Sequence, residues 1–227
     1  MSATANLFVP EMSAWAEEVE LEEPVPGFGY LERQNKLFDP EPNSVSEAIV
    51  RHFEPEFNAA NGLILHLGAG HGELMYSLQQ HGFSVMGCEP ASRPTRLARQ
   101  IHGFDARTLH CCGLESFLNW VRCIGQKAQA IFFRHDWEHN FQMHALLPRM
   151  ADALNDGGRV IAVLPPPAAD YPREAHLSFL NELAVAGASS SASFDMEGVD
   201  CDEQFRFMAF VLKKTAAPAQ RACRSDL

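Results

Sequence analysis

Leu63-Ile64-Leu65-His66-Leu67 runs without a break into Gly68-Ala69-Gly70-His71-Gly72. No other stretch restricts the possible folds as much. A short apolar run that halts at glycines reads as a buried strand, and Leu74, Met75 and Leu78 follow with the spacing of a helix over 72–81. Glycines at such a junction let the chain turn sharply and let a ligand approach where a Cβ would otherwise stand. The helix that follows points its unpaired N–H groups back toward the loop.

The rhythm continues along the chain. Residues 84–88 read as a second strand ending at Glu89, and a helix fits 93–102, with Leu97 and Ile101 four apart. A weaker strand at 108–110 precedes a helix over 113–123. Residues 128–133 read as a strong strand and 141–154 as an amphipathic helix, closed by Asp156-Gly157-Gly158. A fifth strand at 160–164 is stopped by Pro165-Pro166-Pro167. A helix fits 173–186, and 205–212 alternates as a late strand. Upstream, Asn43 or Ser44 caps a helix over 45–54, with Glu47 three residues beyond Ser44 as in a capping box. Strands alternating with helices predict an α/β fold: an open, mostly parallel sheet with helices on both faces. Ligands of such sheets bind beyond the carboxyl ends of the strands, so functional residues are expected just after strands.

Charge narrows the partners. The chain carries 18 basic and 29 acidic residues, a formal charge of −11. Phosphate backbones are repelled by such a surface, so nucleic acid is not expected as a partner. Six cysteines occur without a C-x-x-C pair, which points to reduced thiols rather than a disulfide framework. No signal peptide is visible and no apolar run reaches the ~20 residues of a membrane helix. A soluble, cytoplasmic protein without a membrane partner is expected. The expected domains are an acidic, aromatic arm or lid at 1–42, a core at 43–214 and a flexible tail at 215–227. Trp15, Phe28 and Tyr30 are the candidates for a lid that excludes water.

Three ligand classes use a glycine loop of this kind. A P-loop needs Gly-Lys-Ser/Thr, which is absent. A dinucleotide fingerprint needs a third glycine at position 73, where Glu73 would set a negative charge beside a pyrophosphate. Glu89 lies 21 residues after Gly68, close to the ~20 at which a ribose-binding acid is found. The spacing G-x-G-x-G resembles motif I of the class I S-adenosylmethionine-dependent methyltransferases. LHLGAGHGELMYSL, VMGCEP, AIFFRHDWEHN and LNDGGRVIAVLPP follow in the order of that family, over about residues 45–213.

The resemblance implies a Rossmann-like, mostly parallel seven-stranded sheet with a late antiparallel strand. It implies S-adenosyl-L-methionine as cofactor and methyl transfer to a small-molecule acceptor. The cofactor contacts it implies are His66, Gly68, Ala69, Gly70, Gly72, Glu89, Pro90, Leu114, Arg134 and His135. Three positions depart from the family pattern. His66 stands two residues before the first motif glycine, where an acid is usual. Cys111-Cys112-Gly113-Leu114 occupies the segment after strand three, where an acid or amide often meets adenine. Gln129-Ala130 replaces the aspartate that often opens strand four. These departures keep an alternative open, a catalytically degenerate methyltransferase-like partner or regulatory protein.

His135-Asp136-Trp137-Glu138-His139 also reads H-x-x-E-H, a zinc-peptidase signature. A zinc site needs both histidines on one face of a helix. The preceding Ala130-Ile131-Phe132-Phe133 reads as strand, which puts His135 in a turn, so no metal is expected. In the family resembled, this segment lies between cofactor and substrate. His139, then His135, are the candidate general bases, with Asp136 as orienter. A histidine suits that task because its unperturbed pKa is about 6.5. Tyr171 and His176 are further candidates for the mouth. The oligomeric state is left open, a homodimer included.

Overall fold

Alternation along β1, Leu63–Leu67, decides the layering of the molecule. Successive strand residues point to opposite faces. Ile64 enters one apolar cluster, while Leu65 and Leu67 enter the other. β4, Ala128–Arg134, divides in the same way: Ala130 and Phe132 face one side, Ile131 and Phe133 the other. A strand that is apolar on both faces must be covered on both faces. This computed structural model describes residues 45–57, 62–134, 143–164, 194–201 and 207–215, and there the helices provide that cover.

On the first face lie α1 (Val45–Phe53), α2 (Glu73–Gln80) and α3 (Ser92–His102). On the second lie α4 (Leu114–Cys123) and α5 (Met143–Ala153). The remaining strands are β2 (Ser84–Cys88), β3 (Leu109–His110), β5 (Leu154–Leu164), β6 (Phe194–Cys201) and β7 (Met208–Lys214). Their order in the sheet is β3-β2-β1-β4-β5-β7-β6. β7 runs antiparallel to β5 and β6, and the pairs among the first five strands are parallel. The expected seven-stranded, Rossmann-like sheet with a late antiparallel strand is therefore the observed one. The chain builds outward from β1 to β3, then crosses back to β4 on the other side of β1. The switch point lies between β1 and β4, where α/β sheets of this kind open a crevice.

Phe53, Phe117, Phe132, Phe133 and Phe207 are fully buried. Each contributes roughly 1.5–3 kcal/mol by leaving water. Gly87 in β2 has a packing reason: a Cβ there would come within 2.6 Å of Met75 Sδ and 2.8 Å of the His66 carbonyl. Its absence lets α2 lie close on the sheet. Pro148 sits inside α5, where it removes one helical hydrogen bond. Burial of Leu146, Leu147 and Met150 on the same helix offsets that loss.

Several elements differ from their sequence expectation. The third strand shortens to two residues. The fifth begins at Leu154, six residues early, because Asn155–Gly158 form an irregularity within the strand. Ala128 pairs Leu154, and the next pair is Ala130 with Arg159. Gly157 takes φ 76° there, inside β5; the helix already ends at Ala153, so the glycines are not its cap. Gln129 is an extra residue between the pairs Leu63–Ala128 and Ile64–Ala130. Its Nε2 donates to the Gly62 carbonyl at 3.0 Å. β6 has no counterpart in the strands read from periodicity. Asp195, Met196 and Glu197 are exposed at this sheet edge, so the strand lacks a clean apolar alternation. Ser44 and the helix expected at 173–186 lie outside the described residues, as do the arm at 1–42 and the tail from residue 216.

Candidate functional site

The glycine loop fills the gap between the end of β1 and the start of α2. Gly68, Gly70 and Gly72 all take positive φ, 71°, 55° and 81°. A side chain in this region of φ is strained, which explains three glycines in five residues. The loop is tied to its neighbour strand: the N–H groups of Gly68 and Ala69 both donate to the Cys88 carbonyl at 2.9 Å. Inside the loop Gly72 N donates to the Ala69 carbonyl at 2.9 Å, and Tyr76 N to the Gly72 carbonyl at 2.8 Å.

The three glycines have different surroundings. Among the described residues, a Cβ on Gly68 or Gly70 would meet nothing within 4 Å, so their half-buried backbone is left uncovered by those residues. A Cβ on Gly72 would strike Phe104 Cε2 at 2.6 Å and approach Ala98 at 3.2 Å. The first two glycines face a cradle, and the third is pressed against α3 and the segment after it.

Glu89 closes the cradle from the end of β2. Its side chain is buried, and its two oxygens hold two backbone groups: Gly70 N donates to Oε2 at 2.8 Å and Ala91 N donates to Oε1 at 2.9 Å. Its own N–H donates to the His110 carbonyl at 2.9 Å, which links β3 to the site. Each carboxylate oxygen accepts more than one hydrogen bond. The same group that orders the loop can therefore accept from a vicinal diol lying in the cradle. Glu73 opens α2, placing a carboxylate where the helix start would otherwise attract phosphate. The arrangement suits a ligand with a ribose and no phosphate beside the helix.

A family model described as a methyltransferase domain matches residues 38–199. The chain belongs to this methyltransferase family. No curated protein matches the chain in sequence. Its fold is similar to that of a glycopeptide N-methyltransferase solved with S-adenosylmethionine, with a TM-score of 0.54 and 14% identity over 74% of this chain and 93% of that one. It is also similar to magnesium protoporphyrin IX methyltransferase from Synechocystis PCC 6803, with a TM-score of 0.52 and 15% identity over 84% and 92%. A ribosomal protein L11 methylase from Lactobacillus delbrueckii subsp. bulgaricus matches with a TM-score of 0.54 and 15% identity over 78% and 83%. Two further structures assigned as methyltransferases, one from Streptococcus mutans, are longer. The chain spans 49% and 47% of their length, about half.

The other sequence candidates fall as follows. His66 is the fourth residue of β1, is buried to 5% exposure, and shares the face of Ile64. Pro90 is exposed between Glu89 and Ala91. Leu114 opens α4 and is partly buried against the core of the second face. Arg134 ends β4, paired with Val163. His135, Asp136, Glu138 and His139 lie outside the described residues, so the H-x-x-E-H stretch does too. Tyr171 and His176 also lie outside them. Among the described residues no cluster of three histidines, cysteines or acids could hold a metal, and no helix is long and apolar enough to cross a membrane.

Thiols crowd the β2–β3 end of the site. Burial pushes the Cys88 thiol well above the usual range, with the neighbouring Cys112 adding to it. Burial, with Cys111 beside it, pushes Cys112 up to about 11. Both are neutral thiols at physiological pH and poor nucleophiles.

Sequence reasoning missed the residues behind the loop. His102, the last residue of α3, stacks on Tyr76 with ring centroids 4.7 Å apart, and tilts on Phe104 at 5.5 Å. Arg99 reaches from α3 to the Leu109 carbonyl, with Nη2 at 2.7 Å and Nε at 3.3 Å. These residues lie about thirty positions from the loop they support, and no local pattern marks them. A separate hollow of about 200 Å³ opens at the opposite, amino edge of the sheet, lined in part by Gln129, Asp156 and Arg159. Its Arg159 is already engaged by Glu197 at 2.6 Å and Glu56 at 3.3 Å.

Proposed function

We propose that this methyltransferase transfers a methyl group from S-adenosylmethionine to a small-molecule acceptor in the cytoplasm. The observation that carries the reading is the bond from Gly70 N to Glu89 Oε2, with no described residue covering Gly68 and Gly70. It joins glycine loop and acid into one cradle at the sheet's switch point. Glu89 is the acceptor for the ribose hydroxyls, and a charged acceptor strengthens those bonds. Gly68, Ala69 and Gly70 bring bare backbone against the ligand. Gly72 sets the turn into α2. His66 stands toward the methionine end, while Pro90 and Leu114 flank the adenine. Arg134 ends β4 and His135 comes next in sequence; both are assigned to the acceptor side.

When bound, S-adenosylmethionine supplies an electrophilic methyl group on a sulfonium. The chain's own task is to align an acceptor with that group and to remove a proton where the acceptor carries one. His139, with His135 as second candidate, is the proposed base, oriented by Asp136. The segment 1–42 is the proposed lid. The charge of −11 supports a small acceptor over a phosphate backbone.

Calorimetric titration with S-adenosylmethionine, S-adenosylhomocysteine and NAD tests the reading. Micromolar binding of the first two, with none of the phosphate-bearing NAD, is the expected result. No binding of either sulfur ligand up to millimolar concentration would overturn it in favour of a non-catalytic partner protein.

A further inference from the structure

Charge is unevenly divided along this chain. Residues 1–44 hold nine acidic and two basic residues, a net of −7 within the chain's −11. Five of those acids, Glu17, Glu18, Glu20, Glu22 and Glu23, fall within seven positions. A block of one charge repels itself, and such blocks commonly serve as interaction segments.

α3 carries the opposite sign. The stretch from Pro90 to Phe104 has three arginines, Arg93, Arg96 and Arg99, and no acid. Arg93 and Arg96 are exposed and, three positions apart, share one side of the helix. Thr95 and Ala98 on the other side are buried. Arg99 is committed to the Leu109 carbonyl. The acids that flank the stretch are committed too. Glu89 holds the N–H groups of Gly70 and Ala91. Asp105 Oδ1 accepts from the N–H groups of Arg107 and Thr108 and from the Thr108 hydroxyl. Among the described residues, the arginines held in ion pairs are Arg51, Arg149 and Arg159.

We infer that the exposed Arg93–Arg96 face of α3 is the docking surface for the acidic block Glu17–Glu23 of the same chain. The reach is ample. Val45 opens α1 on the same face of the sheet as α3. Three helices side by side set α1 and α3 about 20 Å apart, and residues 24–44 span about 70 Å when extended. Tethering also answers the weakness of exposed ion pairs, which singly hold a free partner poorly. A tethered block is present at an effective concentration on the order of millimolar. A nucleic acid would instead meet the chain's overall negative charge. Ala91, the residue before α3, shares the Glu89 carboxylate with Gly70, so the docked block lies at the rim of the cradle and anchors the proposed lid there. The inference holds whichever ligand the cradle takes, because it rests on charge and reach.

The test places an amine on this face without removing its charge. Arg93→Lys/Arg96→Lys, in the full chain, is treated with a carbodiimide. The reagent condenses a carboxylate with an adjacent amine to an amide and takes up the water released. Linked peptides are mapped by mass spectrometry. Gln126→Lys is the control, at an exposed site before β4 and so at the opposite edge of the sheet. Links from position 93 or 96 to Glu17–Glu23 are expected to be at least fivefold more abundant than links from position 126. They should fall at least fivefold in about 0.5 M salt, which screens charges beyond a few ångströms. Equal yields from the two sites, or no link to the block, overturns the inference. Mixing isotope-labelled with unlabelled chains shows which chain supplies the block. Links confined to one isotope support the inference, and mixed links assign the face to a second copy and overturn it. Retention of wild type on heparin that is lost in Arg93→Glu/Arg96→Glu assigns the face to a polyanion and also overturns it. As an independent measure, a Glu-specific protease should cut the block at least fivefold faster in Arg93→Glu/Arg96→Glu than in wild type. Equal rates count against the docking.

Discussion

Gly70 and Glu89, nineteen residues apart in sequence, are joined by a 2.8 Å hydrogen bond from a backbone N–H to a buried carboxylate oxygen. The other oxygen of the same carboxylate takes the N–H of Ala91 at 2.9 Å. Glu89 therefore orders the loop before any ligand arrives. Glu89→Ala removes both acceptors and is expected to weaken S-adenosylhomocysteine binding at least tenfold, about 1.4 kcal/mol. Glu89→Gln is expected to lose nearly as much. One of the two backbone donors must then face an amide NH₂, which cannot accept. Calorimetry on the pair checks this, and a glutamine variant with wild-type affinity would count against the two-donor arrangement.

Gly70 and Gly72 separate binding from stability. Gly70→Ala introduces a methyl at φ 55°, where no described residue lies within 4 Å. The strain is about 1–2 kcal/mol, and the methyl intrudes where the ligand would lie. Gly72→Ala carries similar strain at φ 81° and also drives a methyl into Phe104. Thermal melts should show the larger fall for Gly72→Ala. Titration of Gly70→Ala, still folded, should show binding reduced at least tenfold.

His81 follows α2 and stands between two carboxylates, Glu47 Oε1 at 3.0 Å from Nε2 and Glu54 Oε2 at 3.1 Å from Nδ1. Burial opposes the charged ring, but the bonds to Glu47 and Glu54 outweigh it, and the His81 pKa is raised from 6.5. Burial likewise opposes the Glu47 carboxylate. The bonds from His81 and Arg51 outweigh it, and its pKa is lowered from 4.5. The His81 contribution is full below pH 6.5 and is lost as pH rises through the raised folded value. The Glu47 contribution is full above pH 4.5 and is lost as pH falls through the lowered one. Both act together between those limits. Glu54 is nearly half exposed and water screens its share, so the cluster is worth about 1 kcal/mol. Urea unfolding of wild type and His81→Leu should differ most near pH 5.5 and converge toward pH 8.5 and above. A difference that does not change with pH would refute the charged pairing.

Lys214, at the end of β7, closes the end of α5. Its Nζ donates to the carbonyls of Ala151 and Leu154, each at 3.0 Å, and lies 3.3 Å from Asp156 Oδ1. A cation on the last carbonyls of a helix satisfies groups that lack partners and complements the helix dipole. Lys214→Met keeps the stem and removes the charge. Loss of about 1–2 kcal/mol in urea unfolding is expected, without change in S-adenosylhomocysteine affinity, because α5's end and the glycine loop lie at opposite edges of the sheet.

Much of the fold was legible in the sequence because its signals are local. Leu63–Leu67 stops at glycines, Leu74, Met75 and Leu78 share a helical face, and strand residues around Phe132 are apolar on both sides. Each of these is a periodicity within a few residues, set by backbone geometry. The glycine loop and Glu89 were legible for the same reason: positive φ calls for glycine, and an acid just past a strand falls at the ligand edge. β6 was not legible, since an edge strand carrying Asp195 and Glu197 gives no apolar alternation.

By itself, then, the sequence determined the layers, the order of elements and the position of the cradle. Only the tertiary structure decided how the cradle is held: the extra residue at Gln129, the bond from Gly70 to Glu89, and the seating of Gly72 against Phe104 and Ala98. The physical reason is distance along the chain. Periodicity reports what a residue does for its own strand or helix. A hydrogen bond or ring contact across nineteen or thirty positions exists only once the sheet has fixed which elements are neighbours.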